Sequence, residues 1–264
     1  MNTIRILFNF IWKAALFLLF LVIAVIIAWA VYIQCTKPDL PSFEMLKKDL
    51  LVKINATPDE WVTFDELPKE LSQFEINRID HTFWEPSSWI DVTGSRVCFN
   101  LFSRFVKQQG NVQTRDYLLR LIDQLGYVDW HTVSKSKIKN QFYYCSLNVD
   151  LDRQWTKQQQ LEIYFNSIYM GLPDKNGIYN AAHFYFEKQP KDLTPSESAI
   201  LHALQISPGR LARTKEVEQS ACTTLKENAI PQAEKLCEAL PELVQKAVTQ
   251  KNEYIESIQP QNEK

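Results

Sequence analysis

Glycine is scarce in this sequence, which has only six glycines among 264 residues. Average usage is about 7%, and loops that cradle phosphates, such as GxGxxG, need their glycines close together. The closest pair here, Gly171 and Gly177, lies six positions apart. This spacing disfavours nucleotide-binding folds built on glycine loops. It favours a mostly helical chain, because a glycine inside a helix costs about 1 kcal/mol relative to alanine.

The sequence also lacks an excess of basic residues, with 29 Lys and Arg against 31 Asp and Glu and a net charge of −2. A nucleic-acid surface needs clustered positive charge, so we expect no nucleic-acid partner. The four histidines show neither HExxH nor another paired spacing, so we expect no metal site. No pattern in the sequence indicates a cofactor.

Cysteines are few, and their number is odd. In an oxidising compartment the five cysteines leave at least one thiol free or in an intermolecular bond. Cys222 and Cys237 flank two short helical stretches, and they either form a disulfide or remain two buried free thiols. The sequence leaves both alternatives open.

One long apolar segment is present, from Ala14 to Ile33, and it contains no charged residue. At 1.5 Å per residue such a helix spans a hydrocarbon core of about 30 Å. Arg5 and Lys13 precede it, so the positive-inside rule predicts a cytoplasmic N-terminus and an exported remainder. A cleaved signal peptide is the alternative, but the run exceeds the usual apolar region of 7–15 residues. We therefore expect an uncleaved signal anchor.

The rest of the chain divides by composition. Most aromatic and apolar residues of the exported part fall between about 61 and 212, and the C-terminal stretch is polar with helical patches. The predicted organisation is a cytoplasmic tail at 1–13, a transmembrane anchor at 14–34, a linker or small membrane-proximal helix at 35–60, a main domain at 61–212 and a polar helical extension at 213–264.

Two helices carry start signals. Thr156 and Gln159 form a capping-box pattern before an apolar face over 161–169, and Gly171 stands where a C′ glycine is expected. Thr194 and Glu197 form a second capping box, with a proline between them at the first helical position. Residues 181–186 read as another buried helix, and strand signals are weak. The sequence predicts a mainly α domain on a membrane anchor.

The stretch from 161 to 208 resembles glycosyltransferase family 51, the peptidoglycan glycosyltransferases, whose members read approximately ILExYLNxxxxG, GxxAAAxxYFGK and LTxxEAA. The resemblance implies a lysozyme-like, mainly α transglycosylase domain on a single transmembrane helix. It implies a place in the bacterial inner membrane, with the domain in the periplasm. It also implies lipid II, a glycan strand or a cell-wall synthase as partner. The matching residues are Leu161, Glu162, Tyr164, Asn166, Gly171, Gly177, Ala181, Ala182, Tyr185, Phe186, Lys188, Leu193, Thr194, Glu197 and Ala199.

The resemblance extends upstream by spacing, and there the family's catalytic glutamate is missing. Trp61-Val62 and Leu67-Pro68 match a family segment that ends eleven residues before that glutamate, which places Ile79 at its position. In the family this residue is thought to act as general base on the acceptor hydroxyl, and isoleucine cannot take up a proton. The nearby carboxyl groups of Glu75, Asp80 and Glu85 are weak substitute candidates. The alternative for them is ordinary surface charge.

The next family motif, QGASTITQQLAKN, is kept only at its ends. Gln109 and Gly110 match its start, and Leu118 and Arg120 match its later leucine and basic residue. The Ser, Thr and Gln positions between them have changed, and among the replacements is Asp116. The resemblance implies that Gln109, Gly110 and Arg120 contribute to substrate binding.

A third family motif, RKxxE, supplies a basic pair and a second glutamate. The register without gaps places Tyr144 at that glutamate, and an alternative register places Ser136-Lys137 on the basic pair and Asn140 on the glutamate. Neither register restores a carboxylate, because residues 131–149 contain no Asp or Glu. Lys137 and Lys139 supply positive charge for a pyrophosphate, or they belong to a solvated basic loop.

The positions that match the family are mostly structural residues of helix faces and caps. The positions that differ are mostly those that the family uses for catalysis and substrate binding. The first hypothesis is therefore a catalytically degenerate transglycosylase-like domain that binds a synthase, lipid II or glycan. The second is a divergent but active glycosyltransferase with a substitute carboxylate. An unrelated helical membrane protein is the third.

Overall fold

The computed structural model describes residues 2–79, 83–84, 112–128, 137–172, 176–206 and 213–258, and these residues are helical with no strand among them. The mainly α prediction is confirmed. The α-helices are α1 (Asn2–Thr36), α2 (Phe43–Lys53), α3 (Lys69–Ile79), α4 (Val112–Gln124), α5 (Lys137–Gln154), α6 (Lys157–Ser167), α7 (Ile178–Phe186), α8 (Pro195–Ile206), α9 (Thr214–Glu227) and α10 (Ala233–Ile258). Short 3-10 helices lie at Pro58–Glu60, Phe64–Glu66 and Pro190–Asp192.

Helix α1 contains a segment, Phe10–Thr36, that is long and apolar enough to cross a membrane. Its 27 residues span about 40 Å at 1.5 Å per residue. The large apolar side chains of this segment are almost all exposed in the protein alone, whereas a soluble domain buries such a stripe. This exposure fits a helix whose surroundings are lipid.

The C-terminal end of α1 is joined to α5 of the domain. Gln34 accepts a hydrogen bond of 2.7 Å from Ser146, and the hydroxyl groups of Thr36 and Tyr143 lie 2.7 Å apart. Lys37, directly after α1, forms an ion pair with Asp150. These contacts tie the end of the apolar helix to a fixed face of the domain.

Helix α6 starts as predicted and ends earlier than predicted. The Thr156 hydroxyl accepts from the Gln159 amide at 3.1 Å, and the Gln159 side chain accepts from the Thr156 amide at 2.9 Å. The helix ends at Ser167, so the prediction of Gly171 as its C′ glycine is wrong. The chain leaves the helix at Ile168, whose backbone is extended (φ −71°, ψ 142°), three residues before Gly171. A C′ glycine would have to follow that residue directly, so Gly171 lies too far along the chain to cap α6.

Helices α7 and α8 follow the sequence patterns. Ala181–Phe186, predicted as a buried helix, lies within α7 (Ile178–Phe186). At the start of α8 the Thr194 amide donates to the Glu197 carboxylate at 2.8 Å, and the Glu197 amide donates to the Thr194 hydroxyl at 3.3 Å. The second capping box is therefore confirmed.

Helix α6 lies between two apolar clusters. Its residues Leu161, Tyr164 and Phe165 belong to a cluster shared with α3, α7, α8, α9 and α10. Ile163, on another face of α6, belongs to a second cluster with α2, α4 and α5. A helix that is apolar on more than one face is buried on both, and α6 is therefore the central element.

Helices α9 and α10 form a hairpin closed by a disulfide between Cys222 and Cys237. Of the two alternatives that the sequence left open, the structure has the bonded one. Helix α10 buries Leu240, Val244 and Ala247 against the first cluster. The polar C-terminal stretch is thus part of the folded domain.

Candidate functional site

Two polar residues of α6 hold the segment that precedes α3. Both Glu162 oxygens accept hydrogen bonds, one from the Trp61 indole at 3.2 Å and one from the Phe64 amide at 3.0 Å. The buried Asn166 side chain accepts from the Val62 amide at 3.0 Å and donates to the Val62 carbonyl at 2.7 Å. Glu162 and Asn166 thereby pair backbone groups of the segment before α3 that a neighbouring strand would pair in a sheet.

Gly177 is required by its contact with Asn166. Its φ is +91°, and an added Cβ would lie 2.5 Å from the Asn166 carbonyl oxygen. Its amide donates to the Ile168 carbonyl at 2.9 Å. Only a residue without a side chain brings α7 this close to the end of α6.

A third scaffold contact joins the end of α7 to the start of α8. Lys188 lies 2.8 and 2.9 Å from the two oxygens of Glu197, the carboxylate that also completes the α8 capping box. Tyr185 donates to the Met170 carbonyl at 3.1 Å. The family-like residues that the sequence singled out from 162 to 197 therefore include several that hold helices together.

Glu75, a weak catalytic candidate, lies buried in a polar network. The Arg78 guanidinium reaches its two oxygens at 2.9 and 3.2 Å, and Tyr164 donates to one of them. His202 Nε2 lies 3.3 Å from the other oxygen. Gln205 donates to the Tyr164 hydroxyl at 2.7 Å. The network joins α3, α6 and α8.

The surroundings of Glu75 favour its charged form. Burial raises the pKa of this carboxyl group, but the hydrogen bond from His202, the charge of Arg78 and the hydrogen bond from Tyr164 outweigh burial, so the net pKa lies below its ordinary value. Both oxygens are occupied by protein groups. A general base must reach the proton that it removes, and Glu75 presents no oxygen to an acceptor sugar in this arrangement.

Several predicted site residues lie outside the part of the chain that the structure describes. These are Asp80, Glu85, Gln109 and Gly110. Ile79 is the last residue of α3 and Lys137 is the first residue of α5. The structure describes the helix positions of these two residues but not their side chains.

Tyr144, which the ungapped sequence register predicts at the second family glutamate, donates a hydrogen bond to Asp116 of α4. The link joins α4 to α5, and Arg120 lies one turn after Asp116 on the exposed side of α4. Burial raises the pKa of Asp116, and the opposing effects of the Tyr144 hydrogen bond and the charges of Arg120 and Arg115 are smaller, so the net pKa lies above its ordinary value. A partly buried carboxyl group with a raised pKa is suited to proton transfer.

Sequence reasoning treated Asp116 only as the loss of a family residue. A signal was available, because positions 116 and 120 are four apart and therefore share one helix face. The family resemblance had already implied that Arg120 contributes to substrate binding. What it did not contain was the pairing of Asp116 with Tyr144, which are 28 positions apart.

Lys139 lies beside the C-terminal end of α1. Its ammonium group donates to the Tyr32 hydroxyl at 2.8 Å and lies 5.1 Å from the centre of the Tyr143 ring. The structure therefore brings Arg120 and Tyr144 to Asp116, and it places Lys139 at the junction with α1.

A model of the transglycosylase family matches residues 47–229, more than half of the chain. The chain belongs to the transglycosylase family. The match begins in α2, includes the described helices through α9 and ends before α10. Helix α10 is therefore an addition to the part that the transglycosylase model covers.

Individual relatives agree with this family. Penicillin-binding protein 1F of Bacillus subtilis is 27% identical over 152 residues, which is 56% of this chain and 20% of the relative. Penicillin-binding protein 1A of Vibrio cholerae is 26% identical over 156 residues, covering 59% of this chain and 18% of the relative. The biosynthetic peptidoglycan transglycosylase of Acinetobacter baylyi is 32% identical over 88 residues, covering 29% of this chain and 39% of the relative. The matched part of the chain thus spans about a fifth of the two penicillin-binding proteins.

Proposed function

We propose that this chain is a membrane-anchored, periplasmic transglycosylase-like domain that takes part in peptidoglycan assembly without polymerising glycan. It acts by binding a synthase, lipid II or a glycan strand. The observation that carries the proposal is an asymmetry within one domain. The family-like residues Glu162, Asn166, Gly177 and Glu197 make scaffold contacts. The positions assigned to the two catalytic glutamates hold isoleucine and tyrosine.

The chemistry of these two side chains supports the proposal. An isoleucine has no ionisable group, and the Tyr144 hydroxyl is engaged with Asp116. Burial and the adjacent charge of Asp116 raise the pKa of Tyr144 above its ordinary value, so this phenol stays protonated near neutral pH. Loss of one general base typically lowers a rate by about 10²–10⁴, and two carboxylates are absent here.

The second candidate function is a divergent, active glycosyltransferase that uses a substitute carboxylate. Asp116 is the observation that favours it. Its partly buried carboxyl group has a raised pKa and lies against the residue assigned to the second glutamate position. Glu75 is less suited to this role, because Arg78, Tyr164 and His202 surround its oxygens.

Polymerisation of lipid II by the full chain in detergent separates the two functions. We expect no glycan chains from the unmodified protein, together with crosslinking of the protein to lipid II, to glycan or to a synthase. The variant Asp116→Asn removes the substitute carboxylate, and Asp123→Asn on the same helix is its matched control. Glycan chains that form with the unmodified protein and the control, but not with Asp116→Asn, would contradict the degenerate function.

A further inference from the structure

Helix α2 carries apolar side chains on two opposite faces. Leu46 and Leu50 belong to the second apolar cluster and are fully buried. Met45 and Val52 are seven positions apart, so they share the outer face of the helix. Met45 is 52% exposed and Val52 is 76% exposed. A helix on the surface of a soluble domain normally has polar residues on its outer face, so the outer face of α2 indicates a second apolar contact.

The domain meets α1 at the end of the apolar segment, with no spacer between them. Ile33, the last residue of the uncharged run, is only 4% exposed, and Lys139 of α5 donates to the hydroxyl of the preceding residue, Tyr32. The rings of Trp29 and Tyr32 lie 5.6 Å apart, and such residues are enriched at the level of the lipid headgroups. In a chain whose α1 crosses a membrane, the domain surface around α1 therefore lies at that level.

Helix α2 is held close to this junction. The chain from Thr36 to Phe43 spans at most about 25 Å. Its path is fixed by packing, because Leu40 belongs to the second apolar cluster and the Pro41 carbonyl accepts from the Trp155 indole at 3.2 Å. Helix α2 therefore cannot move away from the end of α1 as it would on a flexible linker.

The charged residues of the outer face are compatible with a lipid surface. Lys48 lies between Met45 and Val52 along the helix, and its long stem can extend the ammonium group to the headgroups. Asp49 accepts a hydrogen bond from Tyr127 of the domain. Helix α2 has three lysines against two acidic residues, so its net charge is small. The face is therefore suited to apolar insertion rather than to electrostatic adsorption.

We propose that the outer face of α2, formed by Met45, Lys48 and Val52, is a second membrane contact beside α1. Met45 precedes residue 47, where the match to the transglycosylase model begins. The inference rests on the membrane anchor of the proposed function and not on its role in peptidoglycan assembly. A single transmembrane helix is free to tilt, whereas an interfacial contact beside it restricts the tilt of the domain.

The test is the depth of a nitroxide label at Val52→Cys in the full chain, reconstituted in phosphatidylcholine vesicles. Collisions of the label with oxygen and with a water-soluble nickel chelate give its depth. Every labelled chain also carries Cys35→Ser, because Cys35 is a free, exposed cysteine, and the Cys35→Ser chain alone gives the background. Ile23→Cys in α1 is the control for lipid, and Asn252→Cys on the exposed side of α10 is the control for water.

We expect the label at position 52 to lie about 5–10 Å into the boundary between headgroups and acyl chains. Met45→Asp, made in the labelled chain, should shift the label towards water, because a carboxylate on the same face opposes insertion. Met45→Leu is its matched control and should leave the depth unchanged, because it keeps an apolar side chain at that position.

Three results overturn the inference. A label at position 52 that meets the nickel chelate as freely as the label at 252 does so and leaves the anchor standing, provided that the label at 23 lies in lipid. A label at 23 that lies in water overturns the anchor as well. Protection of position 52 from both reagents shows that protein rather than lipid covers the face. Polymerisation of lipid II remains a separate measurement, which decides the role in peptidoglycan assembly.

Discussion

Removal of the Cys222–Cys237 disulfide should cost the protein about 3 kcal/mol of folding stability. The two cysteines are 15 positions apart, and closing a loop of about that length removes about 10 cal/mol/K of entropy from the unfolded chain. A change of that size lowers the melting temperature of a domain of 150–250 residues by about 6–12 °C. The effect should concentrate on α10, which the bond fastens to α9.

The variant for this test is Cys222→Ser/Cys237→Ser, with Cys35→Ser as its matched control because Cys35 is a free, exposed cysteine. Thermal unfolding of the full chain in detergent gives the stability, and hydrogen exchange of the α10 amides shows where it is lost. A double variant that melts with the unmodified protein and protects α10 equally would refute the reasoning. The native packing of Leu240 and Val244 would then suffice without the crosslink.

Three further substitutions test the packing of the scaffold. Glu75→Gln should cost about 2 kcal/mol at pH 7. Because the pKa of Glu75 is lowered on folding, its contribution is complete above its ordinary value of about 4.3 and is lost as the pH falls through the folded value, so the difference in urea midpoint should shrink towards pH 3. Gly177→Ala should cost about 3 kcal/mol in thermal unfolding, because it combines a strained φ with a contact to Asn166. Asn166→Ala should cost about 2–4 kcal/mol in urea unfolding, because it leaves the amide and carbonyl groups of Val62 unpaired.

The following outcomes would contradict the expectations for these three variants. A Glu75→Gln difference that stays constant from pH 7 to pH 3 would contradict the lowered pKa of this carboxyl group. Unfolding midpoints that do not change in Gly177→Ala and Asn166→Ala would show that the end of α6 does not depend on these contacts.

Local structure in this domain could be predicted from the sequence because it depends on residues that are close together along the chain. The capping boxes at Thr156 and Thr194 depend on residues three positions apart, and both are present. The C-terminal end of α6 could not be predicted in the same way. Gly171 has the residue type of a helix cap, but the backbone becomes extended at Ile168, three residues earlier.

The candidate site was predictable only in part. Sequence spacing placed Ile79 and Tyr144 at the two glutamate positions, but the partner of each side chain depends on how distant helices pack. Asp116 meets Tyr144 because α4 lies against α5. Glu75 is fixed by residues of α6 and α8, which follow it by about 90 and 130 positions. No local pattern encodes contacts at that separation.

The sequence by itself determined the helical class of the domain and its apolar N-terminal segment. These properties follow from composition, periodicity and spacing along the chain. Only the tertiary structure decided that Glu75 is enclosed, that Asp116 has a partner and that the apolar outer face of α2 is exposed. The physical reason is that burial, ion pairing and exposure are properties of groups brought together from separate helices.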